Sequence, residues 1–170
     1  MEENNRSIYD DGAVLGTVEA KVHSVAEQFE DCDYMFANFA QANVELDLSE
    51  IDKPTILYVL PARGTLRLHR GYIKDIPSVQ LWFICPSDFD FDGVENECRV
   101  EAMKRLGIRF IKALNDSDLF EVIDDTDLEY NVAYDAYDDN RTGVCFYPRL
   151  IEKQGILPCA DVSRKPWSVL

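Results

Sequence analysis

The sequence predicts an α+β domain: one antiparallel or mixed β-sheet with two amphipathic helices packed on one face, plus extended N- and C-terminal arms. Three observations lead there. The stretch LWFICPSDFDFDGVENECRVEAMKRLGIRFIKALN over 81–115 gives a buried strand, an acidic turn and a long helix in succession. A second apolar stripe recurs at spacings of three and four over 17–43. Between and after the two helical stretches lie short apolar or alternating runs punctuated by Pro and Gly, the pattern of strands and turns.

Taken in order, residues 1–16 form a polar, acidic arm, with Gly12 and Gly16 bracketing Ala-Val-Leu. A single domain is expected over 17–153. Its first helix is placed at 17–43, opened by Thr17 and carrying Val18, Val22, Val25, Phe29, Cys32, Phe36 and Phe39 on one face. His23, beside that stripe, has no partner ligand in the sequence and is expected to pack rather than to bind a metal. An acidic connector over 44–53 ends at Pro54, which favours an extended conformation at Lys53. Thr55-Ile-Leu-Tyr-Val-Leu60 is a buried strand, Pro61-Ala-Arg-Gly64 a turn, and Thr65-Leu-Arg-Leu-His-Arg70 a half-exposed strand. After Gly71, residues 72–77 lead into an apolar strand over 79–85.

The second helix is expected from about 94–96 to 114, with Val100, Met103, Ile108, Phe110, Ile111 and Leu114 on its apolar side. Glu95 and Glu97 early, and Lys104, Arg105, Arg109 and Lys112 later, follow the order the helix dipole favours. A short strand is expected at 119–123. An antiparallel hairpin of 128–137 and 142–152 follows, with Pro148 at an edge or bulge. Residues 154–170 form an extended tail whose Trp167, Val169 and Leu170 are anchors for this domain or a neighbour.

Composition narrows the function. A chain of 170 residues is long enough for one domain with a proper core, and 46% hydrophobic residues mark it as globular. The formal charge of −15 argues against generic binding to nucleic acid or to an anionic membrane surface, both of which need clustered Lys and Arg. Five cysteines without C-x-x-C spacing and two histidines make neither a zinc site nor a disulfide framework. The polar first residues are not a signal peptide, and no apolar run reaches membrane-spanning length, so synthesis in a cytoplasm is expected. Nucleophile-elbow, P-loop and dinucleotide fingerprints are absent from the sequence, and no general base has an evident partner. No catalytic residues and no enzymatic activity are therefore expected.

Two motifs remain. The turn Asp88-Phe89-Asp90-Phe91-Asp92-Gly93 opens like an EF-hand calcium loop, but its twelfth position is Arg99, where a bidentate carboxylate is required. A shorter cation site would use Asp88, Asp90, Asp92 and Glu97, with calcium as the cofactor. The simpler reading is that Asp92 or Asn96 caps the following helix. Residues 53–74 carry Lys53, Arg63, Arg67, Arg70 and Lys74 and no acid, whereas 116–129 carry Asp116, Asp118, Glu121, Asp124, Asp125, Asp127 and Glu129 and no base. The plain reading is two solvated faces. The functional one is a basic hairpin that meets an acidic surface on a neighbouring copy. Arg63, Arg67, Arg70, Lys74, Asp124, Asp125, Asp127, Trp167 and Leu170 are the interface residues so expected.

The segments PTILYVLPARGT, DFDFDGVENECRVEAMKRLG and YDDNRTGVCFYPRLIEKQG resemble small virion or prophage proteins of tailed phages from Bacteroides-type gut bacteria. The element order is similar to that of the tail-terminator and tail-completion (head–tail neck) proteins. The resemblance covers about residues 54–153. It implies a non-enzymatic virion protein, with no catalytic residues to carry over. Such a subunit forms a ring of about six or twelve copies that contacts neck, portal or tail proteins. It also implies a lumen through which DNA passes without being gripped, which an acidic lining would favour. Two other readings stand beside it: an acidic soluble binding or inhibitor protein that occupies a basic partner surface, and a small calcium-binding module.

Overall fold

The structure, a computed structural model, describes residues 18–48, 53–69, 72–88, 92–123, 128–138 and 140–153. Both expected arms, 1–16 and 154–170, lie outside the described residues. The elements in chain order are α1 (Val18–Ala26), β1 (Asp33–Ala37), α2 (Phe39–Leu48), β2 (Thr55–Val59), β3 (Gly64–His69), β4 (Tyr72–Pro77), β5 (Leu81–Pro86), α3 (Gly93–Asp116), β6 (Tyr130–Ala136) and β7 (Arg141–Phe146). A mixed five-stranded sheet runs β1-β2-β5-β7-β6, and β3 pairs with β4 in a separate two-stranded ribbon. Only β1 and β2 are parallel; the other neighbours in the large sheet are antiparallel. The α+β class and the mixed sheet are as the sequence predicts.

The alternation of side chains along the central strands assigns the two faces. Ile56 and Tyr58 of β2, Leu81, Phe83 and Cys85 of β5, and Val144 and Phe146 of β7 join the main core with α1 and α3. Leu57 and Val59 point the other way and pack with Ala37, Ala42 and the partly buried Met35, Trp82 and Tyr137. β2 is buried at all five positions because both its faces are covered, which is why it reads as an unbroken apolar run.

Helix α3 is long and well bounded. Asp92 accepts from the N–H groups of Val94 and Glu95, and Glu95 returns a bond to the Asp92 N–H at 3.0 Å, a complete capping box. The helix lies close to the sheet at Gly107. A Cβ there would sit 2.1 Å from Phe146 Cε2, so only glycine permits the approach.

The single helix expected over 17–43 is instead two helices with a strand between them. Helix α1 ends at Ala26, residues 33–37 form the edge strand β1, and α2 begins at Phe39. The cause is local. Asp33 donates its N–H to Pro54 O, tying β1 to the start of β2, and Tyr34 and Phe36 alternate with Met35 and Ala37 across the sheet. Asn38 then caps α2: its Oδ1 accepts from Gln41 N–H at 2.9 Å, and Gln41 Oε1 accepts from Asn38 N–H. Helices α1 and α3 contribute to one core, as expected, while α2 is a third helix whose Ala42 packs on the opposite face. The acidic connector placed at 44–53 is helical as far as Leu48.

Further differences are smaller. Residues 72–77, read as a lead-in, are strand β4, paired along its whole length with β3. The strand placed at 119–123 is an isolated bridge between Phe120 and Glu152. The strand placed at 142–152 ends at Phe146, before Pro148, which has no N–H to continue a ladder. At the far end of the β6–β7 hairpin, Asp135, Tyr137 and Asn140 have φ of 45°, 65° and 49°. The Asp and Asn accept this readily; Tyr137 is held there by its contact with Trp82 and by Asn43 of α2, whose Oδ1 accepts the Asp138 N–H at 2.9 Å.

Among the described residues, Lys21 and Glu152 form a buried charged pair. Lys21 of α1 and Glu152 are 8% and 0% exposed, and Lys21 Nζ donates to Glu152 Oε1 at 2.6 Å. His23, on the same helix, stacks on Tyr34 with ring centroids 4.6 Å apart, the packing role expected of it.

Candidate interaction surface

The β3–β4 ribbon is the extension of the β2–β5 pair. Val59 N–H donates to Gln80 O, Ser78 N–H donates to Arg63 O at 2.8 Å, and pairing then runs from Gly64↔Pro77 to His69↔Tyr72. Past this step the ribbon leaves the main sheet and becomes an arm. Residues 62–67 are all exposed, and Leu66 is 63% exposed.

The arm carries most of the basic residues expected at an interface. Arg63 stands at its base and Arg67 within β3, both exposed, and Arg67 is opposite Lys74 in the register. Arg70 lies outside the described residues. Asp124, Asp125 and Asp127 lie outside them too, as do Trp167 and Leu170. Of the acidic stretch 116–129, Asp116, Asp118 and Glu129 are described and exposed, and so, beyond it, is Asp138. Glu129 and Asp138 flank β6, the edge strand farthest from β1 in the strand order. Tyr130, Val132 and Tyr134 of that strand are 45%, 38% and 56% exposed. The Tyr130 ring rests against Phe146 and beneath Lys104 Nζ, 5.0 Å from its centroid. This apolar, acid-flanked edge was not singled out from the sequence.

The acidic turn before α3 behaves as a cap. Asp92 and Glu95 spend their carboxylates on backbone N–H groups. Asp88 and Glu97 are exposed, and Asp90 lies outside the described residues. Arg99, which replaces the required twelfth ligand, is directed at Cys85 Sγ, 3.9 Å from its guanidinium. Burial pushes the Cys85 thiol up, and the guanidiniums of Arg99 and Arg141 draw it part of the way back. Among the described residues, no group of three or more His, Cys, Asp or Glu is arranged to hold a metal ion.

Two surface clefts stand out among the described residues. One, of about 650 Å³, lies between the start of α3 and the end of β5, lined by Pro54, Cys85, Pro86, Cys98, Arg99 and Met103. The other, of about 360 Å³, lies where the arm joins the sheet, lined by Phe39, Leu60, Arg63 and Gln80 among others. Burial raises the Cys32, Cys85 and Cys145 thiols, the last to about 12, where it remains protonated at neutral pH. No helix among the described residues is long and apolar enough to cross a membrane. Comparison with protein-family models, curated proteins and solved structures gives no significant match.

Proposed function

We propose that this chain is a non-enzymatic structural subunit that assembles with copies of itself into a closed ring, of the kind found at the head–tail junction of tailed phages. The observation that carries the reading is the β3–β4 arm. It is exposed over residues 62–67, basic at Arg63 and Arg67, uncovered at Leu66, and attached to a chain whose net charge is −15. An arm of one charge on a body of the other steers copies into head-to-tail contact, and such contacts close into rings when the rotation per subunit allows. In that role the protein resides in the virion. Neck, portal or tail proteins are its other partners, and DNA passes through a lumen that does not hold phosphate.

Light scattering on the full chain, from micromolar concentration upward, tests this reading. The expected result is a closed assembly of about six or twelve copies. Reversal of both arm charges, Arg63→Glu with Arg67→Glu, should dissociate it without altering the circular dichroism spectrum. A wild-type chain that remains monomeric at the highest attainable concentration overturns the proposal and favours an acidic binding protein that acts alone.

A further inference from the structure

We infer that the open edge of β6 is the acceptor for β3 of a second copy, so that the arm of one subunit extends the sheet of the next. This deepens the ring reading and rests on it.

The backbone geometry selects the edge. Tyr147 N–H donates to Glu129 O at 3.2 Å, which makes 129 and 147 a hydrogen-bonded pair. With Tyr130↔Phe146 and Val132↔Val144 in register, antiparallel alternation turns the N–H and C=O of Tyr130 and Val132 away from β7. These outward groups belong to the residues whose apolar side chains are also uncovered. Natural edge strands are usually guarded by Lys, Pro or a bulge. The strand YNVAYDA has neither Lys nor Pro, and its irregularity comes only between Ala133 and Ala136. Residues 130–133 are a regular edge, with no strand paired to its outer side among the described residues.

The same arithmetic selects the donor strand. Arg63 and Ser78 are a hydrogen-bonded pair, so Gly64 and Leu66 turn their backbone groups outward from β3. Opposite Gly64, the outward position on β4 is Pro77, which has no N–H to give. β4 also carries Asp75, whereas β3 carries no acid. The β3 edge is therefore the intact one, and its charge fits an acceptor flanked by Glu129 and Asp138. Pairing would bring the exposed Leu66 to the exposed apolar row of β6. Strand addition of this kind draws affinity from main-chain bonds and specificity from alternate side chains.

The test uses the full chain and two single variants. Val132→Lys guards the acceptor edge at a position already 38% exposed; Arg67→Glu reverses the donor charge. Each should weaken self-association about 100-fold, the scale of losing an interface hot spot. Mixed together, they should form a heterodimer, because the intact arm of one meets the intact edge of the other and no further contact can form. Amide hydrogen exchange gives a readout without substitution: Tyr130 and Val132 should be protected in the assembled wild type and exchange freely on dilution. If Val132→Lys is folded and retains the wild-type mass, or if the two amides exchange freely in the assembly, the edge pairing is wrong while the ring stands. A wild type that never assembles removes both.

Discussion

Replacing Gly107 with alanine separates helix propensity from packing, because the two effects oppose each other at this position. Alanine in a helix interior is favoured over glycine by about 1 kcal/mol. Against that, the new methyl would lie 2.1 and 2.7 Å from Phe146 Cε2 and Cδ2 and 3.0 Å from Phe83 Cδ2, where carbon atoms prefer about 3.5–4.0 Å. Neither ring is free to yield. Phe83 is fully buried, Phe146 is 3% exposed, and the two rings pack at 5.7 Å with Phe110 and Tyr130 beyond them. Overpacking of a tight core costs about 1–3 kcal/mol, and this overlap belongs at the upper end. The net expectation is a loss of about 2 kcal/mol, or a fall in Tm of about 4–8 °C for a chain of this size. Thermal unfolding followed by circular dichroism measures it. Gly93→Ala is the control, since a Cβ at Gly93 meets nothing within 4 Å. An unchanged or higher Tm for Gly107→Ala would refute the close crossing of α3 over β5 and β7.

Two further outcomes are expected. Lys21→Met should destabilise by about 3–5 kcal/mol, because it strands Glu152 in the core; adding Glu152→Gln should recover much of the loss, and a single variant as stable as wild type in urea would show that the pair is not buried. Burial raises the Cys145 thiol from 9.0 to about 12 and raises the Tyr34 and Tyr137 hydroxyls. The unfolded chain then ionises first, so stability is complete below about pH 9 and falls as the pH rises towards 12. Urea midpoints at pH 8 and pH 10.5 should differ, with Cys145 contributing on the order of 1 kcal/mol and Cys145→Ala reducing the slope; equal midpoints would contradict it.

What the sequence makes legible follows from how local each signal is. Helix α3 declares itself through Asp92 and Glu95 at its start and an apolar stripe sustained to Leu114. β2 and β5 declare themselves because sheets covered on both faces are apolar throughout. The segment 18–48 misleads because Phe29, Cys32, Phe36 and Phe39 fall at helical spacing by accident. The alternation of Tyr34 and Phe36 with Met35 and Ala37, and the Asn38–Gln41 capping box, are the signals that separate β1 from α2. β4 is hidden by Pro77 and mixed polarity in YIKDIP. The basic arm is visible as charge segregation along the chain. The β6 edge is not, because the strand order that leaves Tyr130 and Val132 unpaired is set by contacts distant in sequence.

The Lys21–Glu152 pair joins residues 131 positions apart, and this bears on when the domain can form. Synthesis delivers α1 first, and its buried lysine has no counter-charge until nearly the whole domain has been translated. The central strand β5 likewise waits for β7, its partner from Arg141 onward. Loop closure over such distances is slow, so although β1, β2 and β5 can pair from residues within 33–86, the sheet and its main core close only late in synthesis. The outer edge of β6, which pairs only with β7 among the described residues, cannot be presented before that late step.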